Sequence, residues 1–246
     1  AVVDFFQRDA AVYVPARVIL RPGYRKRPKK AGGILPEGVL YLGIFSKKAE
    51  TFLIVGLGNP GDQYRNTRHN AGFLAADYIA QKQGVKFKKK FQSEFTEVKF
   101  GDKKCFLQKP QTFMNNSGFA VRDACNFYRI PVKNVIVMHD DITLEPGRFK
   151  LKTGGSDGGH NGLSSIIENL GDWDFQHIKL GIGAKTVKEM PLYDYVLQTL
   201  SDADKKAIEG LFEDIYGCIG MIVSGDVEKA KAEYNHRFDN DQKEDK

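Results

Sequence analysis

Histidine, aspartate and asparagine residues gather in a few short segments of the chain, each of which follows a predicted strand. The segment that follows "LIVGLG" contains Asn59, Tyr64, His69 and Asn70 within twelve residues. An imidazole can accept a proton at neutral pH because its ordinary pKa is about 6.5, and a neighbouring carboxylate can fix its tautomer. Amide side chains donate and accept hydrogen bonds without titrating. These residue types are typical of acid–base chemistry on a polar substrate.

Three later segments have a similar composition: "TFMNNSG" (112–118), "MHDD" (138–141) and "GGHNG" (158–162). Each places Asn, His or Asp beside small residues where a predicted strand passes into a helix or a turn. In an α/β sheet, ligands bind in the loops at the carboxyl ends of the strands. We therefore expect the four polar loops to converge on one crevice.

The first polar segment also contains Gly56, Gly58 and Gly61 with the G-x-G-x-x-G spacing of dinucleotide-binding proteins. A dinucleotide site needs a tight turn that admits a pyrophosphate and an acidic residue about 20 positions later, at the end of the second strand. Here the turn has Asn-Pro in its middle, and the nearest acid, Asp77, lies within a helical pattern. We expect the glycine spacing to be accidental and the protein to use no cofactor.

Short apolar runs alternate along the chain with segments of helical periodicity, a pattern typical of α/β proteins. In chain order the predicted elements are a strand at 51–57, a helix from Thr67 to Gly84, a hairpin at 93–110, a helix at 115–131, strands at 134–144 and 147–155, a helix within 156–171, a strand at 175–183 and two helical pieces at 201–234 that are broken near Gly225. We predict one α/β domain at 51–238, with a twisted mixed sheet flanked by helices, and an acidic tail at 239–246.

Residues 1–50 carry the excess positive charge, because they hold ten Lys and Arg against four Asp and Glu, a difference equal to the formal net charge of +6. The run "RPGYRKRPKKAGG" (21–33) is rich in Pro and Gly and has no helical period, so it predicts a basic extension outside the domain. A solvated extension, an arm that contacts RNA phosphates and a targeting segment are the open interpretations. "GVLYLGIF" (38–45) has the composition of a strand that the pattern does not place.

Several other kinds of site are not expected from the sequence. Cys105, Cys125 and Cys218 lie in apolar segments without a C-x-x-C pair, which favours buried reduced thiols over disulfides or a zinc site. No two histidines have the i, i+4 spacing of a helical metal pair, and no apolar run approaches the roughly 18 residues of a membrane span. The residues around Ser156, "GGSDGG", lack the G-x-S-x-G order of a serine nucleophile.

From about residue 52 to 236 the chain resembles the bacterial-type peptidyl-tRNA hydrolase family. The motifs that carry the resemblance occur in the family's order: "GLGNPGDQYRNTRHNAG", "QKPQTFMNNSG", "VMHDDITLEPG", "GGSDGGHNGLSSII" and "LGIG". The resemblance implies an enzyme that hydrolyses the ester between peptide and tRNA and contacts the acceptor end of the tRNA. It further implies a monomer without metal or cofactor in the cytoplasm; a mitochondrial or plastid location is the alternative, since residues 1–50 are rich in Arg and Lys.

The same resemblance assigns roles to individual residues. It makes His69 the general base, Asp140 its orienting partner and Asn59 a residue of the catalytic centre. The implied substrate-binding residues are Tyr64, Asn70, Phe113, Asn115 and Asn161, and the implied contacts to the tRNA 5′ phosphate are Lys152 and Lys179. The strand pattern alone leaves open whether Asp140 or Asp141 faces the crevice. Asn115 and Asn161 have an alternative role as helix caps, and we expect the remaining histidines, His139, His160, His177 and His236, to be structural or solvent-facing.

One function from another class stays open at the level of the sequence. Some organellar RNA splicing factors resemble this family and bind RNA without needing the hydrolase activity, and the basic extension suits such a role. A pure binding module has no chemical need for His69, Asp140, Asn59 and Asn115 together, and all four are present. The residues therefore favour the enzyme.

Overall fold

A computed structural model of the chain describes the backbone of residues 50–185 and 189–244, and the side chains as far as residue 235. The predicted basic extension and the strand-like run at 38–45 lie outside these residues. Those two expectations stay predictions.

Seven strands form one mixed sheet. They are β1 (Phe52–Gly56), β2 (Lys88–Lys90), β3 (Ser93–Phe100), β4 (Lys103–Pro110), β5 (Val135–Asp141), β6 (Phe149–Thr153) and β7 (Gln176–Gly181). Their order across the sheet is β2-β3-β4-β1-β5-β7-β6. The four central strands β4, β1, β5 and β7 are parallel, while β3 and β6 run antiparallel to their neighbours. The predicted mixed sheet is confirmed.

Helices cover both faces of the sheet. They are α1 (Ala71–Lys82), α2 (Ser117–Tyr128), α3 (Asn161–Leu170), α4 (Leu192–Val196), α5 (Asp202–Glu209), α6 (Phe212–Ser224) and α7 (Val227–Glu244). Side chains alternate along a strand, so Ile54 of β1 packs with α1 and α6, whereas Leu53 and Val55 pack with α2 and α3. The result is a three-layer domain with one apolar core on each side of the sheet.

The structure differs from the predicted elements in four places. The helical segment after residue 201 is divided into three helices rather than two, because the chain breaks at Gly210 as well as at Gly225. Helix α7 continues to Glu244, so the segment predicted as an acidic tail begins inside a helix. The short elements β2 and α4 were not predicted. The sequence of β2, Lys-Lys-Lys, has no apolar alternation, and α4 has only five residues.

Gly56 at the end of β1 and Gly72 at the start of α1 allow the backbones of these elements to pack closely. A Cβ atom on Gly72, at the start of α1, would lie 2.4 Å from the carbonyl oxygen of Met138 and 2.5 Å from the nitrogen of Leu57. A Cβ on Gly56 would lie 2.3 Å from the carbonyl oxygen of Gly72. Only glycine lets the start of α1 approach the ends of β1 and β5 this closely. This contact fixes the short 3₁₀ turn before α1, which contains His69.

The three cysteines agree with the expectation of buried, unpaired thiols. Cys105, Cys125 and Cys218 are buried and free, as predicted. Burial raises the pKa of each thiol to about 12, so these groups are poor nucleophiles at neutral pH. Within the part of the chain that the structure describes, no helix has the length and apolar character needed to cross a membrane.

Candidate active site

A cavity of about 750 Å³ lies at the carboxyl ends of the parallel strands. Because these strands end at the same edge of the sheet, the loops that follow them meet there. All four polar loops contribute to the wall. The predicted site residues that line the cavity are Asn59, Tyr64, His69, Phe113, Asn115, Asp140, Lys152, Asn161 and Lys179.

His69 and Asp140 form a hydrogen-bonded pair at the base of the cavity. His69 lies in the 3₁₀ turn before α1, and Asp140 is the penultimate residue of β5. Nδ1 of His69 is 2.8 Å from Oδ1 of Asp140, and both residues are buried, at 8% and 4% exposure. The neighbouring Asp141 contacts Lys179 instead. The strand register thus directs Asp140 toward His69, as the family resemblance implied.

A second imidazole contacts the same carboxylate oxygen. Nε2 of His160 lies 3.0 Å from Oδ1 of Asp140. Its Nδ1 accepts hydrogen bonds from the backbone N–H groups of Gly162 (3.1 Å) and Leu163 (3.4 Å), so the ring caps the start of α3. The proton of the neutral ring must therefore be on Nε2, which donates to Asp140. The cap on α3 agrees with the expectation that His160 is structural, and the contact with Asp140 goes beyond it. The position of His160 directly before a predicted helix was the available signal for the cap.

These contacts set the protonation states of the pair. Burial opposes ionisation of Asp140, but His69 and His160 outweigh it and hold the pKa of the carboxyl group well below its usual range. An ionised Asp140 accepts the Nδ1 proton of His69, which leaves the lone pair on Nε2. No side chain in the described residues hydrogen-bonds to this Nε2, and His69 lines the cavity. The arrangement can therefore take a proton from a water molecule held in the cavity.

The same three side chains bring metal-ligating atoms together. The donor atoms of His69, Asp140 and His160 all lie within 4.8 Å of one another. However, both rings direct an N–H group at Asp140, and a metal ion would have to displace both protons. The geometry favours a hydrogen-bonded network, and the expectation that no metal takes part stays a prediction.

Asn59 lines the cavity, whereas the side chain of Asn70 is bonded to the backbone of Asn59. Asn70 uses its side chain to accept from the backbone nitrogen of Asn59 (2.8 Å) and to donate to the backbone oxygen of the same residue (3.0 Å). It is buried at 2% exposure, is not among the residues that line the cavity, and holds the backbone of Asn59. The prediction that Asn70 binds substrate stays a prediction. Oδ1 of Asn59 accepts from the nitrogen of Met114 (2.8 Å), which leaves its Nδ2 as the donor for the cavity.

Asn115 and Asn161 are exposed residues on the cavity wall. The residue that precedes α2 is Asn116, and the cap of α3 is His160. Neither Asn115 nor Asn161 therefore occupies the capping position that was their alternative role. Within the described residues no hydrogen bond engages either side-chain amide, so both can contact a ligand.

Two aromatic side chains form part of the rim. Tyr64 and Phe113 contact edge to face with ring centroids 6.4 Å apart. Phe113 is 57% exposed although it is a large apolar residue. An exposed aromatic pair beside a polar cavity can contact the apolar parts of a ligand.

Lys152 and Lys179 lie on neighbouring strands at the other end of the cavity. Lys152 of β6 is paired in register with His177 of β7, two residues before Lys179. Lys179 forms an ion pair with Asp141, whereas no carboxylate of the described residues lies within ion-pair distance of Lys152. Burial and the two lysines lower the pKa of His177 to about 4. This end of the cavity is suited to an anion, although Asp141 offsets part of the charge.

Comparisons with known proteins agree on one family. The family model for peptidyl-tRNA hydrolase matches residues 53–244. The peptidyl-tRNA hydrolase of Caldanaerobacter subterraneus subsp. tengcongensis is 43% identical over 185 residues, which cover 75% of this chain and 99% of the relative. The peptidyl-tRNA hydrolase of Bartonella henselae is 45% identical over 175 residues, which cover 71% of this chain and 90% of the relative. The crystal structure of peptidyl-tRNA hydrolase from Acinetobacter baumannii superimposes with a TM-score of 0.71 at 34% identity, covering 75% of this chain and 94% of that one.

Proposed function

The chain belongs to the peptidyl-tRNA hydrolase family, and from this premise we propose that it hydrolyses the ester joining a peptide to the terminal ribose of tRNA, with His69 as the general base. The observation that carries the assignment of the base is the pair of His69 and Asp140, whose geometry leaves Nε2 of the ring free in the cavity. The products are a free peptide and a tRNA that can be used again in translation.

The proposed reaction begins with a water molecule that donates a hydrogen bond to Nε2 of His69. The ring takes the proton as the water oxygen bonds to the ester carbonyl carbon, and Asp140 stabilises the resulting imidazolium. The tetrahedral intermediate then breaks its bond to the ribose oxygen. That oxygen leaves with the proton from His69, and the ring returns to its neutral form.

The amides are proposed to hold the substrate and the water. Asn59 has one free amide group, a donor, and a donor suits the negative charge that develops on the carbonyl oxygen. Asn115 and Asn161 line the cavity on its exposed side, where they can contact the peptide backbone and the attacking water. Tyr64 and Phe113 contribute the adjacent aromatic wall. These amides do not titrate, so their contribution is independent of pH.

Lys152 and Lys179 are proposed to bind the 5′ phosphate of the tRNA. Lysine provides charge without the bidentate geometry of arginine. The ion pair between Lys179 and Asp141 implies that Lys152 supplies the larger net attraction. We further propose that the protein acts as a monomer in the cytoplasm without a metal ion, and sedimentation analysis tests the oligomeric state directly.

Release of the acyl amino acid from an N-acetylated aminoacyl-tRNA tests the function. The proposal predicts multiple turnover with regeneration of intact tRNA, and unchanged rates after treatment with a chelator. Tight tRNA binding without release would contradict the enzyme and support the RNA-binding module.

A further inference from the structure

Two histidines in the cavity wall have a ring nitrogen without a partner. Nε2 of His139 and Nε2 of His177 are buried, and no group in the described part of the chain hydrogen-bonds to either. Both residues nevertheless line the cavity. Buried polar atoms are almost always hydrogen-bonded, because leaving one unpaired costs free energy. The proposed mechanism uses neither nitrogen.

The two rings lie between the catalytic pair and the lysines. The ring centroid of His139 is 5.1 Å from that of His160 and 5.7 Å from that of His177. His177 is in turn opposite Lys152 in the register of β6 and β7. The two rings therefore connect the surroundings of Asp140 with the lysines along the wall of the cavity.

The hydrogen-bonding state of His139 follows from its other nitrogen. Nδ1 lies 2.9 Å from the backbone carbonyl oxygen of Asp140, and a carbonyl oxygen only accepts. The proton is therefore on Nδ1, and Nε2 is an acceptor. Burial lowers the pKa of His139 to about 3, so the ring stays neutral at the pH of the cell. The ligand missing at His139 must be a hydrogen-bond donor.

Both histidines line the cavity of about 750 Å³, which is large enough to admit such a group. A hydroxyl is small and can donate to Nε2 of His139. If the proton of His177 is on Nε2, the same hydroxyl also accepts from that ring, whereas an exocyclic amine of a base can only donate and would leave that N–H group unpaired.

We propose that His139 and His177 form a subsite for a ribose 2′-hydroxyl near the 3′ end of the tRNA, with His139 accepting the hydrogen bond. This inference rests on the proposed function, since it requires the RNA end to enter the cavity. A 2′-hydroxyl distinguishes RNA from DNA, so the subsite makes the cavity selective for a ribonucleotide end.

Equilibrium binding of uncharged acceptor-stem RNAs tests the subsite. The RNAs carry a single 2′-deoxy substitution at the last, the second-last or the third-last nucleotide, and a control RNA carries it on the 5′ strand further down the stem. The unaltered protein should bind one of the three deoxy RNAs about fivefold to tenfold more weakly than the unmodified RNA, and it should bind the control RNA as tightly as the unmodified RNA. Equal affinity for all of them would overturn the proposal.

Variants at the two histidines identify the partner of the hydroxyl. His139→Phe should bind the unmodified RNA with the reduced affinity that the unaltered protein has for the sensitive deoxy RNA. The variant should bind the unmodified RNA and the deoxy RNA equally well. His139→Gln keeps an acceptor and should restore part of the discrimination. A full deoxy penalty in a folded His139→Phe protein would overturn the proposal, as would a penalty that appears only when a base amine is removed.

Two further measurements keep the test independent of folding and of the proposed reaction. Thermal unfolding establishes whether each variant is folded, because His139 also bonds to the backbone of Asp140. If His139→Phe is not folded, His177→Phe is used in its place, and it should reduce the discrimination between unmodified and deoxy RNA to half or less. Turnover of N-acetylated aminoacyl-tRNA is measured on the same unaltered protein. Turnover without deoxy discrimination overturns the subsite alone, whereas deoxy discrimination without turnover overturns the hydrolase alone.

Discussion

At the scale of single residues, the network around Asp140 controls where positive charge develops. His160 cannot take a second proton on Nδ1 without losing its bonds to the backbone of α3. His69 has no such restriction, because its Nε2 is free of hydrogen bonds to described residues. In the proposed reaction, a proton taken from water therefore stays on His69, beside a carboxylate that is already ionised. His69 and His160 contact the same oxygen of Asp140, but only the ring of His69 has a nitrogen free to take a proton, while the ring of His160 caps α3.

The ionised state of Asp140 predicts how stability depends on pH. A carboxyl group whose pKa is lowered by folding stabilises the protein above its ordinary pKa of about 3.9, and this stabilisation is lost as the pH falls through the folded-state pKa. Asp140→Asn should therefore lower the free energy of unfolding by about 2 kcal/mol at neutral pH, and the difference should shrink below about pH 4. Denaturant unfolding across this range measures it. A difference that grows toward low pH would contradict the assignment.

Individual side chains were predictable only where a motif specified them. The resemblance placed His69 and Asp140, but the choice of Asp140 over Asp141 depends on strand register. Asn70 follows His69 in sequence, and the resemblance assigns it to the same site, yet its side chain bonds to the backbone of Asn59. The direction of a side chain on a 3₁₀ turn depends on contacts with distant segments, which one sequence does not reveal.

At the scale of secondary-structure elements, His160 joins the start of α3 to Asp140, the partner of His69. His160→Ala removes the cap and the bond to Asp140, whereas His160→Asn keeps a capping side chain that is too short to reach Asp140. We expect the alanine variant to be less stable than the asparagine variant by about 1 kcal/mol. Both should have a lower kcat, since both lose the bond to Asp140. Equal stability of the two variants would show that the ring does not act as the cap.

The close packing of α1 against the sheet depends on Gly72. In Gly72→Ala the new Cβ would meet the backbone of β5 and of the loop after β1, so α1 must shift and carry His69 with it. We expect a loss of about 1–3 kcal/mol in stability together with lower activity. Gly210→Ala is the matched control, because Gly210 has φ −60° and its Cβ would be 3.4 Å from the nearest atom. The control should change stability by less than about 1 kcal/mol.

The elements that the sequence predicted correctly are those with a strong apolar period. The strands of the central sheet and the helices α1, α2 and α3 all have one. β2 was missed because three lysines form a strand only through pairing with β3, and that contact depends on the fold of the hairpin. The break at Gly210 was missed because glycine is tolerated within helices.

At the scale of the whole molecule, charge is unevenly distributed along the chain and around the cavity. Lys152→Ala should weaken tRNA binding and reduce the magnitude of the log–log salt slope by about one unit. Lys205→Ala removes the same charge from α5, outside the cavity wall, and should leave the slope unchanged. Binding measured over a range of salt concentrations distinguishes the two. Equal slopes for both variants would mean that Lys152 does not contact a phosphate.

The most direct measurement of the central claim is single-turnover hydrolysis of N-acetylated aminoacyl-tRNA by the unaltered protein and by His69→Ala, with tRNA binding measured for both. We predict that the variant binds tRNA with unchanged affinity and hydrolyses the ester about 10²–10⁴-fold more slowly, because the general base is gone. Hydrolysis by the variant at the rate of the unaltered protein would contradict the role of His69 and of the network built around it.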